Sequence, residues 1–208
     1  MAHVTPDEFD AAIIRLRSGA PLDARNVEVG AERVAELLEA LVSDEHGFPE
    51  VWAADFREAT FTGDVKFLNA TFRGETRFDA ASFDGHVEFD CAVFSGDAVF
   101  DGATFNHDAV FYGATFCAHS MFYAADFVGE TRFDLTTFSG HAVFDGATFR
   151  GRAIFEGATF GGDAVFDDAT FSDDVVLRAI GFRRNPEFNI AIVGCGMSPW
   201  LAGRTAPP

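Results

Sequence analysis

Phenylalanine recurs along this chain at steps that alternate five and six residues: Phe56, Phe61, Phe67, Phe72, Phe78, Phe83, Phe89, Phe94, and on in the same rhythm to Phe171. A short period held over more than half of 208 residues means that one small structural unit is stacked many times. A helix cannot carry it. The Phe spacing is neither three nor four, and Gly, Thr, Val and Asp are poor residues for a helix interior. A straight strand fails as well, because residues five apart would point to opposite faces. Every Phe can point inward only if the chain turns a corner within each unit. Gly85, Gly96, Gly102, Gly113, Gly140 and Gly146 supply permissive backbone for those corners.

Within the repeat the residue two places before Phe is usually small, as at Ala54, Ala59, Ala70, Ala81, Ala92, Ala98 and Ala103. Strand alternation puts it inward beside the Phe and turns the Thr or Val between them outward. The predicted core is therefore Phe78, Phe83, Phe89, Phe94, Phe100, Phe105, Phe111, Phe116, Phe122, Phe127, Phe133, Phe138, Phe144, Phe149, Phe155, Phe160 and Phe166. Burying each ring contributes roughly 1.5 to 3 kcal/mol, most of it offset by ordering the chain.

Ala59-Thr60-Phe61, Ala103-Thr104-Phe105, Ala147-Thr148-Phe149 and Ala158-Thr159-Phe160 set out the unit. It resembles that of the pentapeptide-repeat family, a small residue two places before a central Leu or Phe, over residues 54 to 188. The resemblance implies an all-β solenoid, a right-handed quadrilateral β-helix with four units per coil. Two features depart from the family pattern: the central residue is nearly always Phe, and every second unit has a sixth residue. Four units then take 22 residues and give about six coils, with residues 22 apart stacked about 4.8 Å apart. One inward column would be Phe56, Phe78, Phe100, Phe122, Phe144, Phe166 and Phe188, and another Phe61, Phe83, Phe105, Phe127, Phe149 and Phe171. A coil of eleven residues with two faces is the rival architecture.

Residues 1–50 lack the repeat and read as an α-helical N-terminal cap, followed by the β-helix at 51–188 and a C-terminal tail or cap at 189–208. Thr5 with Pro6, Asp7 and Glu8 has the form of a helix start, leading through Phe9, Ile13 and Ile14 to Gly19. A second helix is expected from about Ala31 through Asp44, with Val34, Leu37, Leu38, Leu41 and Val42 at helical spacing. The tail caps the last coil, mediates dimerisation, or marks an early stop in a longer repeat array.

Lys and Arg number 15 against 33 Asp and Glu, a formal charge of -18 that argues against direct binding to nucleic acid or to an anionic membrane. It suits a soluble rod and a basic partner. Asp7, Glu8 and Asp10 interrupt any secretory leader, and no stretch is long and apolar enough to span a bilayer. Cys91, Cys117 and Cys195 show neither metal-ligand spacing nor a disulfide framework, so a reducing cytoplasm is the expected location.

The sixth residue of the longer units is polar: Asp64, Glu75, His86, Asp97, Asp108, His119, Glu130, His141, Arg152, Asp163 and Asp174. In four-sided coils His119 and His141 stack between Asp97 and Asp163, yet no second set of convergent ligands is present to make this a metal site. These positions, with His86 and His107, read as solvated corners. No cofactor is expected, and no nucleophile with a base or phosphate-cradling loop appears, so the chain reads as non-catalytic. Thr columns such as Thr60, Thr104, Thr148 and Thr170 are broken by Asp126 and are read as good strand residues.

Acids form the candidate interaction surface: Asp79, Asp90, Asp97, Asp101, Asp134, Asp145, Glu156, Asp163 and Asp167. Outward aliphatics accompany them, Val99, Met121, Val143 and Val165 on one face and Val110, Ile154 and Val176 on another, which a protein partner or a second copy in a homodimer could bury. The expected function is a protein-interaction or scaffold module. The resemblance supplies the alternative, an acidic DNA mimic that binds and regulates DNA gyrase or topoisomerase, as some pentapeptide-repeat proteins do.

Overall fold

The computed structural model describes residues 14–43 and 45–183, and the backbone of 191–192. Its strands are two or three residues long and pair in parallel with the strand one coil away, so that four sheets form the four sides of a solenoid of about six coils. Regular pairs are offset by 22 residues, as in Phe94↔Phe116 and Val99↔Met121, which excludes the eleven-residue coil.

In chain order the first face carries Ala54–Asp55, Thr76–Arg77, Ala98–Val99, Ser120–Met121, Ala142–Val143 and Ala164–Val165. The second runs from Thr60–Thr62 to Thr170–Phe171, the third from Val65–Lys66 to Val175–Val176, and the fourth from Glu50–Val51 to Gly181–Phe182. Ala and Phe alternate inward with the residue between them outward, and the Phe rings from Phe56 to Phe171 are buried.

The rings make four continuous stacks, one per face. On the first face Phe56, Phe78, Phe100, Phe122, Phe144 and Phe166 stack with centroids 4.8–4.9 Å apart and planes within 13°. Stacks on opposite faces meet edge to face across the interior, as Phe100 meets Phe111 at 5.8 Å and 88°. Offset-parallel contacts along the axis and perpendicular contacts across it are the two geometries that the ring quadrupole favours. Phe188, assigned to the first stack, lies outside the described residues, as does the C-terminal tail apart from the backbone strand Ala191–Ile192.

Five- and six-residue units turn differently. After the first and third faces the corner is a four-residue turn closed by a backbone bond, for instance Ala103 N–H to Phe100 O at 3.0 Å, with its third residue left-handed. That residue is Gly102 at φ 63° but also Ala124 at 51° and Leu135 at 54°. After the second and fourth faces, where the sixth residue is inserted, glycine serves another purpose wherever it stands in a described corner, except at Gly63, which has φ 79°. A Cβ on Gly140 would stand 2.4 Å from the carbonyl oxygen of Ala118 one coil below. Of the six corner glycines singled out in the sequence, Gly102, Gly113 and Gly146 supply positive φ, whereas Gly85, Gly96 and Gly140 allow close axial approach.

The segment before residue 50 is not solely helical. Leu22–Asp23 pairs with Ala54–Asp55 on the first face and Glu28–Gly30 pairs with Thr60–Thr62 on the second, so the sheets start well before residue 51. These strands lack Phe, which is why the repeat count passes over them. Of the first expected helix 14–19 is described, helical over 14–17 and turning at 18–19; Thr5 and its neighbours lie outside the described residues. The second is Ala31–Ala40, shorter than expected because the chain bends at Leu41 into a Val42↔Pro49 bridge. It occupies the third-face position of its coil and packs on Val65–Lys66, with Val34 and Leu38 buried. An amphipathic helix thereby covers the edge of a sheet that would otherwise present unpaired backbone groups.

Candidate interaction surface

Solenoid geometry sorts the nine nominated acids onto three corners. Asp79, Asp101, Asp145 and Asp167 each follow a first-face Phe and mark the corner between the first and second faces. Asp97 and Asp163 mark the corner between the fourth and first faces, while Asp90, Asp134 and Glu156 stand between the third and fourth. Six of the nine therefore border one face. Between them lie the outward Val99, Met121, Val143 and Val165, which are neighbours by strand register. Val99 is only 5% exposed and the other three are half-buried, because rungs on a flat parallel sheet shield one another.

The carboxylates differ in their surroundings. Arg77 pairs with Asp79, and Arg132 with Asp134 at 3.1 Å, which partly cancels both charges. Burial pushes the carboxyls of Asp90 and Asp101 above the usual carboxylate range, and Oδ1 of Asp90 is buried without a hydrogen-bond partner. Asp101 does accept a hydrogen bond, from the Tyr123 backbone N–H at 3.1 Å. Among the described residues no cation pairs with Asp145, Asp167 or Glu156.

The sixth residues do more than meet solvent. Oδ1 of Asp97 accepts the His119 N–H at 3.0 Å, Nδ1 of His119 accepts the His141 N–H at 3.2 Å, and Nδ1 of His141 accepts the Asp163 N–H at 3.2 Å. On the opposite corner Asp64 accepts from His86 N–H and Asp108 from Glu130 N–H, at 3.0 and 2.9 Å. Each short side chain thus satisfies a backbone donor one coil above, where the extra residue interrupts the sheet. Polarity at these positions is legible in the sequence, but the 22-residue reach that makes it useful is not. His141 Nδ1 also lies 3.0 Å from Asp163 Oδ2. No cluster of three or more His, Cys, Asp or Glu side chains among the described residues is arranged to hold a metal ion.

The family model described as pentapeptide repeats (9 copies) matches residues 52–91 and 133–180. The coils between those segments continue the same sheets and Phe stacks without a break. Over those segments the chain carries pentapeptide repeats. No curated protein matches it. Pentapeptide-repeat solenoids are generally non-catalytic, and a repeat protein of this kind is commonly an interaction module. Among the described residues no helix of this pentapeptide-repeat chain is long and apolar enough to cross a membrane.

Proposed function

We propose that this protein is a non-catalytic pentapeptide-repeat interaction or scaffold module that engages a protein partner through its first face. The carrying observation is the ladder of Val99, Met121, Val143 and Val165 bordered on both sides by acids. Phenyl rings stacked in four columns fill the interior, which leaves recognition to the outer faces. Cys91 and Cys117 are free, exposed thiols, which suits a reducing cytoplasm.

Mimicry of duplex DNA toward gyrase is the rival. It draws on the net charge of -18, but pairing of Asp79 and Asp134 with arginine and the burial of Asp90 and Asp101 weaken the field that a mimic needs. A photoreactive amino acid placed at Val143, and separately at Thr115 on the fourth face, tests the reading in cells. Partner adducts from position 143 and not from 115 are expected; none from 143, or equal yields from both, would sink it. Inhibition of gyrase supercoiling by the purified protein at micromolar concentration would replace it with the rival.

A further inference from the structure

The first face also specifies the shape and chemistry of what it can bind, an inference that rests on the interaction reading above. Its four rungs are each a five-residue crosspiece: Asp97-Ala98-Val99-Phe100-Asp101, His119-Ser120-Met121-Phe122-Tyr123, His141-Ala142-Val143-Phe144-Asp145 and Asp163-Ala164-Val165-Phe166-Asp167. Carboxylates stand at both ends of the first and last crosspieces, with Asp145 at one end of the third. Apolar side chains run up the middle. Below Val99 the row passes to Arg77, whose guanidinium is held by Asp79, so the apolar stripe begins at Val99.

Three steps of about 4.8 Å make the stripe about 14 Å long. In a helical ligand, apolar residues at i, i+4, i+7 and i+11 span about 16 Å, close to that length. A strand presents same-face residues about 6.7 Å apart, and its four rungs would run to about 20 Å. Across the face, four residue steps span at most about 14 Å between the acidic corners. A helix about 10–12 Å wide with its side chains fits between them. Basic side chains flanking the helix's apolar ridge would then meet Asp97 and Asp163 on one side and Asp101, Asp145 and Asp167 on the other.

A second copy of this chain suits the face poorly. Stacking two first faces would set acids against acids on molecules that each carry a formal charge of -18, and like-charge juxtaposition opposes association. We infer that the first face is a docking site for a basic amphipathic helix, lying along the solenoid axis with a narrow aliphatic ridge flanked by Lys and Arg.

The test uses the full chain and a labelled helical peptide with Leu at i, i+4, i+7 and i+11, flanked by Lys and Arg, and a control with the same composition in scrambled order. Saturable binding with a Kd below about 100 µM, tighter than that of the control, is expected. Asp97→Asn with Asp101→Asn, Asp163→Asn and Asp167→Asn keeps the carbonyl acceptors while removing four charges, and should weaken binding about tenfold and flatten its salt dependence. Val143→Lys should abolish binding, whereas Thr137→Lys on the fourth face should leave it intact; circular dichroism verifies that each variant is folded. No saturable binding, equal binding of the scrambled control, or equal loss from both lysine variants would overturn the inference. A dimer in sedimentation equilibrium that Val143→Lys dissolves would assign the face to a second copy instead and overturn it too. If the peptide fails while adducts still form at position 143, only the helical ligand is wrong; if both fail, so does the interaction reading.

Discussion

The rings of His119 and His141 stack 4.9 Å apart with planes 18° from parallel, and Nδ1 of the first accepts the backbone N–H of the second at 3.2 Å. The geometry makes the imidazole an acceptor in the position that Asp97 fills one coil below. His119→Leu should therefore cost about 1 kcal/mol, the usual net worth of a hydrogen bond, and His119→Asn, which keeps an acceptor, clearly less. Urea denaturation of the two variants decides it. Equal losses would mean that the ring contact matters and the acceptor does not.

Phe122 stacks on Phe100 at 4.8 Å and on Phe144 at 4.9 Å, and meets Phe111 and Phe133 edge to face. Phe122→Ala would empty one step of a stack whose neighbours are fixed by their own coils. Limited collapse puts the loss at about 3 to 5 kcal/mol, while outward Thr104→Ala should stay within about 0.5 kcal/mol. Denaturant midpoints of the two variants provide the comparison, and similar small shifts would contradict the inward stacks.

Gly140 and Gly146 occupy corners that look alike in the sequence and differ in kind. Gly146 has φ 65°, and Ala124 one coil below adopts φ 51°, so Gly146→Ala should cost about 1 to 2 kcal/mol, the usual penalty for left-handed backbone. Gly140→Ala must push a Cβ off the Ala118 carbonyl oxygen 2.4 Å away and should cost about 3 kcal/mol or more. Thermal melts of both variants will rank them. Equal costs would show that axial approach does not constrain the longer corners.

Those corners mark the limit of what the sequence conveys. The Phe period and the parity of side-chain direction were sufficient to predict the inward stacks and a corner in every unit, because both depend only on local spacing. Whether Asp90, Asp134 and Glu156 share a corner with Asp79, Asp101, Asp145 and Asp167 depends on the coil length, eleven or 22 residues, and the register Val99↔Met121 decides for 22 and separates the two sets. Likewise the acceptor role of Asp64 toward His86 acts across 22 residues and leaves no local signature. The strands Leu22–Asp23 and Glu28–Gly30 escaped notice for a different reason: beside a helix that closes the third-face edge, they need no Phe to hold their place.

Asp101 connects the surface to stability. Burial, aided by the nearby charge of Asp79, raises its carboxyl above the usual range despite the opposing hydrogen bond from Tyr123 N–H. A raised folded-state value means that the folded protein holds the proton more tightly than the unfolded chain does. The ionised form therefore costs stability at neutral pH, and that cost disappears as pH falls through the folded value. The sign is opposite to that of Asp23, which a side-chain hydrogen bond from Arg25 lowers to about 2 and whose contribution is lost in strong acid. Asp101→Asn removes the charge and keeps an oxygen for the Tyr123 amide. It should raise the melting temperature at neutral pH, with the gain shrinking toward zero in acid, while weakening the basic helical peptide. A gain independent of pH would show that the effect is not the buried charge, and an unchanged melting temperature would mean that ionised Asp101 carries no stability cost at that corner.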